Sequence, residues 1–191
     1  MVLPMPSLND ATGLAFDLIA KVKGESSRRP VFAGISGVDC AGKSTLARAV
    51  AERAGESGMA VQQVSIDDFL VPETARQRRE PEHIGYFEDA FEYHGFRERL
   101  IRLEREQDCD LVVAEGCFLF RSELRELWDV KIWLEIPLGV AVERGVVRDA
   151  GFFGSADRAR EVYEKRCIPA HEWHVRRDEP QKVADLVLNL V

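Results

Sequence analysis

Glycines, a lysine and a serine recur near residue 40 at a spacing that suits the binding of phosphate. An apolar run over residues 31–36 leads into the pattern G-x-x-x-x-G-K-S at Gly37–Ser44, and a helix-like segment follows to residue 56. In such a loop the glycines let backbone N–H groups surround phosphate oxygens, the lysine adds a positive charge and the hydroxyl ligates Mg²⁺. The pattern therefore predicts a P-loop that binds a nucleotide and Mg²⁺, rather than a Gly-rich surface turn. The residues expected to contact the nucleotide here are Gly37, Asp39, Ala41, Gly42, Lys43, Ser44 and Thr45.

Acidic residues close two later apolar segments, where parallel strands would end. Asp67 and Asp68 follow the predicted strand 61–66, and Glu115 follows the predicted strand 111–114. Ligands of doubly wound sheets bind at the carboxyl ends of strands, so these acids should face the phosphates. We predict Asp67 as the base that takes a proton from an acceptor hydroxyl, with capping of a local turn as the alternative for either aspartate. The expected Mg²⁺ ligands are Ser44, Asp67 and Glu115.

Two arginines, Arg144 and Arg148, stand four residues apart on one face of the predicted helix 138–148. That helix runs into a glycine-bearing stretch, residues 149–157, which we expect to be a mobile part of a lid. Arginines on a closing lid can clamp phosphate oxygens and stabilise developing charge. We therefore predict Arg148, together with Lys43, as a catalytic residue and Arg144 as a nucleotide ligand. A solvated helix face is the alternative.

The composition narrows the class of protein. The chain has 191 residues, a net charge of −7 and 46% hydrophobic residues, which suits one folded unit with one large core. An acidic chain argues against nonspecific nucleic-acid binding, and no apolar run is long enough to span a membrane. No secretory signal pattern opens the sequence, and the four cysteines form no C-x-x-C pair, which favours reduced thiols. We expect a cytoplasmic protein without nucleic-acid or membrane partners; whether it forms a homo-oligomer is left open.

Strand-like apolar runs alternate with helix-like segments along most of the chain. The alternation predicts an α/β fold with a doubly wound, mainly parallel sheet in a three-layer α/β/α arrangement, as in P-loop NTPases. We expect one domain over residues 1–191, with an N-terminal helix and linker (1–29), an irregular acceptor-side insertion (72–97) and a lid (148–160). Further strands are predicted at residues 130–136 and 185–191.

The last helix-like segment, residues 159–175, contains Pro169, at which we expect the helix to break. The segment also carries His171 and His174, three residues apart. Such a pair could bind a metal, but no other ligand stands at a suitable spacing, so we favour surface or partly buried histidines. The tryptophans, expected in or near the core, are Trp128, Trp133 and Trp173.

Several segments of the chain, taken together, resemble one family of enzymes. In order they are ISGVDCAGKSTLA, SIDDF, VVAEGCFLF, RGVVRD and YEKRCIPAHEW with a closing ADLVL, and the likeness extends over residues 31–190. This set is similar to the uridine kinase branch of P-loop kinases, which includes nicotinamide riboside kinase, with pantothenate kinase and phosphoribulokinase as more distant relatives. The resemblance implies transfer of the γ-phosphoryl group of ATP–Mg²⁺ to a hydroxyl of a nucleoside or similar small polar metabolite. The implied roles are general base for Asp67, phosphate and Mg²⁺ binding for Lys43 and Ser44, support of the metal for Glu115, and a lid position for Arg148.

Two departures from the family pattern concern the acceptor. Uridine kinases typically carry a Tyr-Asp pair after the second strand, whose Asp binds sugar hydroxyls, but this chain reads Tyr86-Phe87-Glu88-Asp89. The lid continues with residues 150–155, which are largely apolar and contain no arginine. The acceptor therefore stays open, and its expected ligands are Asp68, Phe69, Tyr86, Glu88 and Asp89. Two alternatives remain: a kinase for an anionic sugar phosphate bound by Arg76, Arg78 and Arg79, and a regulatory nucleotide-binding protein without catalysis.

Overall fold

A computed structural model, which describes residues 7–26, 30–76 and 79–190, shows a parallel sheet of five strands. The strands lie in the order β2-β3-β1-β4-β5, and every neighbouring pair is parallel. The bounds of the strands are β1 Val31–Gly37, β2 Val61–Ser65, β3 Leu111–Gly116, β4 Val130–Glu135 and β5 Leu186–Asn189.

Helices connect the strands and cover both faces of the sheet. In chain order they are α1 Leu8–Glu25, α2 Lys43–Glu56, α3 Glu82–Asp89, α4 Tyr93–Glu106, α5 Leu138–Phe153, α6 Ala156–Val162, α7 Ile168–Asp178 and α8 Pro180–Val183. Short 3₁₀ turns lie at Ile66–Phe69, Glu73–Ala75 and Arg125–Leu127. The insertion predicted to be irregular therefore contains a helix, α3, and the start of α4.

The central strand, β1, shows why the chain forms three layers. All of its residues are buried, and successive side chains of a strand point to opposite faces of the sheet. Val31, Ala33 and Ile35 pack in one apolar cluster with α1 and α2, whereas Phe32 packs in a second cluster with α4. A strand that is buried on both faces typically has an almost continuous run of apolar residues in its sequence, and β1 has such a run. The predicted doubly wound α/β/α fold is confirmed.

The stretch predicted to be a mobile lid loop is instead a helical hairpin. The helix α5 continues to Phe153, where Gly154 adopts a left-handed backbone (φ +88°) and ends it. The helix α6 begins after Ser155, whose Oγ accepts a hydrogen bond of 3.1 Å from the Arg158 N–H. The glycines of this stretch do not prevent a helix, because a glycine within a helix, here Gly151, costs only about 1 kcal/mol relative to alanine. The second glycine supplies the left-handed residue with which helices commonly end.

Pro169 does not break the last long helical segment. A π-helical turn spans Tyr163–Cys167, and the Ile168 N–H bonds to the Tyr163 carbonyl oxygen. Pro169 then occupies the first turn of α7, where the N–H that proline lacks has no partner within the helix. The helical path therefore continues from residue 156 to residue 178, and the wide π turn changes the directions in which its side chains point.

The aromatic and histidine side chains near α7 serve packing. Trp173 is 36% exposed, so the expectation that it lies near the core was wrong, whereas the other two tryptophans are buried. His174 is wholly buried, and its Nδ1 lies 2.9 Å from Asp178 Oδ2. His171 stacks on Trp133, with ring centroids 5.6 Å apart. Burial lowers the pKa of both histidines, that of His171 to about 3.

None of the helices within the described ranges is long and apolar enough to cross a membrane. The four cysteines are free thiols, as predicted. Three of them are buried, and Cys40, in the P-loop, is half-buried.

Acidification should destabilise the protein through His171. Because its pKa is about 3 in the fold, the folded state stays neutral at this residue while the unfolded chain takes up a proton below about pH 6.5. The unfolded state therefore binds more protons than the folded state as the pH falls, which favours unfolding. The contribution to stability is complete above pH 6.5 and is lost toward pH 3. Between pH 7 and pH 5 we expect a loss of about 2 kcal/mol from this group.

Denaturant unfolding at pH 7 and pH 5 measures this loss. His171→Gln should lose less stability than the wild type between the two pH values. The control is His94→Gln, since His94 is exposed on α4, and it should follow the wild type. An unchanged pH dependence in His171→Gln would contradict the role given to His171.

Candidate active site

The predicted P-loop connects β1 to α2 in a tight turn that depends on two glycines. At Gly37 a Cβ atom would lie 2.4 Å from the Leu134 carbonyl oxygen, so β1 lies too close to β4 there to carry a side chain. Gly42 has a left-handed backbone (φ +95°) directly before α2, and glycine adopts that conformation without steric cost. The turn aims the unpaired N–H groups at the start of α2 into the loop, which suits an anion.

The ammonium group of Lys43 is buried beneath this loop. Its Nζ donates a hydrogen bond of 2.8 Å to the Val38 carbonyl oxygen, and the residue is 8% exposed. Burial disfavours the charge, but neighbouring thiol and carboxyl groups outweigh burial and raise the pKa of Lys43. These groups belong to Cys117, Asp39 and Glu115. The lysine is therefore a fixed positive charge where phosphates would lie.

A cavity of about 350 Å³, which we call the phosphate cavity, lies over the P-loop. Its lining brings together the loop, the start of α2, the chain just beyond β2, the end of β3 and one face of α5. The lining residues are Asp39, Cys40, Gly42, Lys43, Ser44, Thr45, Asp67, Glu115, Cys117, Arg144 and Arg148. Most residues predicted for the nucleotide and the metal thus share one cavity. Gly37 and Ala41 are outside its lining, and Ala41 packs in the core with 1% exposure.

Two of the three acids of the phosphate cavity, Asp67 and Glu115, are linked by Ser65. In the parallel pairing of β2 with β3, Ser65 is the partner of Glu115. The Ser65 Oγ donates a hydrogen bond of 2.7 Å to Glu115 Oε1 and accepts one of 3.2 Å from the Asp67 N–H. One hydroxyl therefore orients the Glu115 carboxylate and fixes the turn that carries Asp67. Ser65 opens the SIDDF segment, but no role for it is predicted from the sequence; its place at the end of a strand before two aspartates is the signal that identifies it.

Asp67 is an exposed carboxylate at the wall of the cavity. The surrounding protein reduces its hydration and so raises the pKa of Asp67, and the negative charge of Glu115 raises it further. The charge of Lys43 acts in the opposite sense but does not cancel these effects. A carboxylate of raised pKa is a stronger base, which is the property required to accept a proton from a hydroxyl.

Three oxygen-bearing side chains of the phosphate cavity suit Mg²⁺. Ser44, Asp67 and Glu115 all line it, and Mg²⁺ prefers oxygen donors while keeping several positions for water and substrate phosphates. The described part of the chain holds no preformed group of three or more His, Cys, Asp or Glu side chains suited to a metal. This donor set fits an ion that is shared with nucleotide phosphates rather than one enclosed by protein ligands alone.

Arg148 is oriented at the rim of the cavity by two neighbours. Its Nε and Nη2 donate to the two carboxylate oxygens of Asp149 at 2.8 and 3.0 Å, and Nη2 also donates to the Tyr163 hydroxyl at 3.0 Å. The Tyr163 hydroxyl in turn donates to Asp149 at 2.6 Å. The bond to Asp149 raises the pKa of Arg148. Arg144 makes a longer contact, 3.5 Å, from Nη1 to the Cys40 carbonyl oxygen.

A second cavity, of about 390 Å³, adjoins the phosphate cavity through Asp39, Asp67 and Arg148, which line both. We call it the acceptor cavity. Its other walls come from residues 70–76, from α3 and its C-terminal end, from the lid hairpin and from the π turn. These residues are Leu70, Val71, Pro72, Glu73, Arg76, Tyr86, Phe91, Asp149, Phe152, Phe153, Tyr163, Arg166 and Cys167. A molecule in this cavity would lie against Asp67 on the side that opens toward the phosphates.

Of the residues predicted to bind the acceptor, only Tyr86 lines this cavity. Asp68 is exposed outside it, and Phe69 packs edge-on against Phe96 with ring centroids 5.5 Å apart. The buried Phe87 side chain fixes the orientation of α3 in the core. Glu88 and Asp89, which follow it, therefore lie outside the acceptor cavity. Glu88 accepts hydrogen bonds from Arg121 at 3.1 Å and Arg177 at 2.8 Å, and Asp89 is paired with Arg79. Arg78 lies outside the described residues.

A P-loop on a parallel sheet, with acids beyond neighbouring strands and arginines on a covering helix, is the arrangement of P-loop phosphotransferases. No family model matches the chain. A curated uridine kinase of Clostridium botulinum (strain Okra / Type B1) is 25% identical over 187 residues, which cover 84% of this chain and 88% of the relative. The sequence similarity thus extends over most of both proteins.

Solved structures show the same fold. A possible uridine kinase of Bacillus stearothermophilus superposes with a TM-score of 0.73 at 20% identity, covering 95% of this chain and 98% of that chain. A candidate fructose transport system kinase of Silicibacter sp. superposes with a TM-score of 0.72 at 20% identity, covering 93% and 98%. Together the similarities confirm the resemblance to uridine kinase-like P-loop kinases and the fold that it implied, and they support a kinase activity.

A single added methyl group at Gly145 should disturb Arg148. Gly145 lies on α5, and a Cβ atom there would come within 2.2 Å of the Tyr163 ring. The ring is buried and its hydroxyl is bonded to Arg148 and Asp149, so the ring cannot move aside without releasing the arginine. We expect Gly145→Ala to lower the free energy of unfolding by about 1–3 kcal/mol, the usual range for overpacking.

The matched control is Gly151→Ala, on the same helix. A Cβ atom at Gly151 would have no neighbour within 4 Å, so this change should be neutral or stabilising by up to about 1 kcal/mol. Denaturant unfolding of both variants measures the difference. Equal stability of the two variants would show that Tyr163 is not held as described.

Proposed function

We propose that this chain transfers the γ-phosphoryl group of ATP to a hydroxyl of a nucleoside or similar small polar metabolite. The observation that carries the proposal is the position of Asp67 at the junction of the phosphate and acceptor cavities. A base in that position reaches an acceptor hydroxyl on one side and the transferred phosphoryl group on the other. The sequence similarity to uridine kinases supports the same reaction class.

The residues of the phosphate cavity have distinct tasks in this reaction. The N–H groups of the P-loop and the ammonium of Lys43 bind the β- and γ-phosphates and offset their charge. Ser44 and Glu115 would hold Mg²⁺, which supplies further neutralisation of the phosphate oxygens when it is bound. Arg148, kept at the rim by Asp149, is placed to stabilise the charge that develops on the transferred group. Asp67 orients the hydroxyl and accepts its proton as the hydroxyl oxygen bonds to the γ-phosphorus and the bond from that phosphorus to ADP breaks, so that ADP leaves.

The lid hairpin has the features needed to keep water from the reacting atoms. Phe152 and Phe153, at the end of α5, line the acceptor cavity, and Phe152 is 85% exposed. A large apolar side chain at the edge of a polar cavity gains burial when the lid closes over an acceptor. Closure of this kind favours transfer to the acceptor over hydrolysis, since water is the competing nucleophile.

Replacement of the proposed base should abolish transfer without abolishing nucleotide binding. We expect Asp67→Asn to lower acceptor-dependent ADP formation by about 10²–10⁴-fold, the usual contribution of a general base. ATP–Mg²⁺ should still bind, because the P-loop is unaltered, and calorimetry can measure that. The control, Asp68→Asn, changes an adjacent exposed aspartate outside both cavities and should keep near-normal turnover.

The assay measures ADP formation over a panel of uridine, cytidine, nicotinamide riboside, pantothenate, ribulose 5-phosphate and simple sugars. One acceptor that raises turnover well above the water background, and loses this effect in Asp67→Asn, supports the proposal. ATP binding without acceptor-dependent turnover would instead favour a nucleotide-binding regulatory protein.

Removal of the exposed ring at the lid should uncouple transfer from hydrolysis. We expect Phe152→Ala to raise acceptor-independent ADP formation relative to transfer by several-fold, because water enters a less apolar cavity rim. Val147→Ala is the matched control, since Val147 is equally exposed on α5 but lies outside the acceptor cavity. If the ratio of acceptor-independent ADP formation to transfer is unchanged in Phe152→Ala, the role proposed for Phe152 is contradicted.

A further inference from the structure

The acceptor cavity carries two guanidinium groups that the phosphoryl-transfer steps do not use. Arg76 lies just after the short turn Glu73–Ala75, and Arg166 lies in the π turn, 90 residues further along the chain. Both line the acceptor cavity, and neither lines the phosphate cavity. The fold therefore brings two cations, distant in sequence, to the place where the acceptor would bind.

These arginines lie on the side of the acceptor cavity away from the phosphates. The phosphate cavity shares Asp39, Asp67 and Arg148 with the acceptor cavity. A third cavity, of about 500 Å³, shares Arg76 and Arg166 with it, together with Glu73 and Tyr86. The acceptor cavity thus has two carboxylates, suited to hydroxyl groups, and Arg148 at the end toward the phosphate cavity, and two guanidinium groups beside the single carboxylate of Glu73 at the other end.

Their hydrogen-bonding capacity is largely unused. Arg76 donates from Nε to the Val71 carbonyl oxygen at 2.7 Å, and no bond from its two terminal nitrogens is present within the described ranges. The Arg166 Nε is buried and, among the described residues, has no hydrogen-bond partner. Its Nη1 donates long hydrogen bonds of 3.3 and 3.4 Å to Glu73 and Glu82, two carboxylates that are mostly exposed.

The same two groups are close enough to repel each other. Burial, and then the charge of Arg166, lower the pKa of Arg76. The pKa of Arg166 is raised instead, because Cys167, Tyr86 and Glu73 outweigh its burial. The Arg166 guanidinium lies 5.4 Å from the centroid of the Tyr86 ring, which holds its plane beside the cavity. Two partly buried cations without a full set of acceptors are costly to keep together unless an anion joins them.

We propose that the acceptor carries an anionic group, a phosphate or a carboxylate, and that Arg76 and Arg166 bind it. This inference rests on the proposed function and narrows its substrate class to small hydroxylated anions. The hydroxyl to be phosphorylated lies at Asp67, and Asp39, whose Oδ2 is buried and has no partner in the described chain, accepts a hydrogen bond from the same or a neighbouring hydroxyl. Glu88 and Asp89 stay in their ion pairs and take no part.

The first test measures binding without turnover. The full chain, saturated with Mg²⁺ and a non-hydrolysable ATP analogue so that the phosphate cavity is filled, is titrated with matched probes in a thermal-shift assay. The pairs are ribose 5-phosphate against ribose and glycerate against glycerol, so that phosphate and carboxylate are examined separately. We expect at least one anionic member to stabilise the complex at about tenfold or lower concentration than its neutral partner.

Variants then assign the effect to the two arginines. Arg76→Gln and Arg166→Gln should each weaken binding of the anionic member by about tenfold or more, while the neutral member is unaffected. Arg166→Lys, which keeps the charge, should restore part of the loss. Arg105→Gln is the control, because Arg105 is exposed in the last turn of α4. Stabilisation by the nucleotide analogue shows that each variant is folded.

Turnover separates failure of this inference from failure of the proposed function. The expected result is a raised acceptor KM in both arginine variants, with kcat changed less than in Asp67→Asn. If neutral acceptors bind or react as well as anionic ones, or if the arginine variants match the wild type, the inference is overturned while the kinase remains. If no acceptor of either kind raises ADP formation and no anionic probe binds, both proposals fall.

Discussion

The buried ammonium of Lys43 is the interaction on which the rest of the site depends. A charged group enclosed by protein is tolerated only when it is paired and hydrogen-bonded. Here the compensation comes from the Val38 carbonyl oxygen and from the side chains of Cys117, Asp39 and Glu115. These groups meet at Lys43 only because β1 lies between β3 and β4, with the loop folded back over its end. The same charge that stabilises this meeting point attracts the phosphates of a nucleotide.

The register of the parallel strands then places the acids. Ser65 and Glu115 are partners across β2 and β3, and their side chains are bonded directly. Asp67 follows within the same turn, where loss of hydration and then the charge of Glu115 raise its pKa. Backbone pairing, a local hydroxyl, reduced hydration and like-charge repulsion therefore combine to give Asp67 a raised pKa beside Glu115, as the base that we propose requires.

The other wall of the site is helical, and one tyrosine organises it. The π turn directs Tyr163 toward α5, where Gly145 leaves room for its ring. The Tyr163 hydroxyl joins Asp149 and Arg148 in one hydrogen-bonded group. The same turn carries Arg166 to the acceptor cavity. A local widening of the helix thus sets both the phosphate-facing arginine and the polarity of the acceptor cavity.

The sequence by itself determined the α/β layering, the P-loop and the positions of Asp67 and Glu115 at strand ends. These features are local, because glycine spacing, strand periodicity and residues at the end of a strand depend on a few neighbouring positions. It could not predict that Glu88 and Asp89 are held by arginines, or that Arg166 and Arg76 line the same cavity. Those contacts connect residues far apart in the chain, and only the packing of α3 and the π turn against the sheet decides which side chains meet. The sequence also did not predict that the glycine-bearing stretch after residue 148 is helical. A single glycine within α5 costs too little to end a helix that packs along its length, and that packing is decided by the tertiary structure.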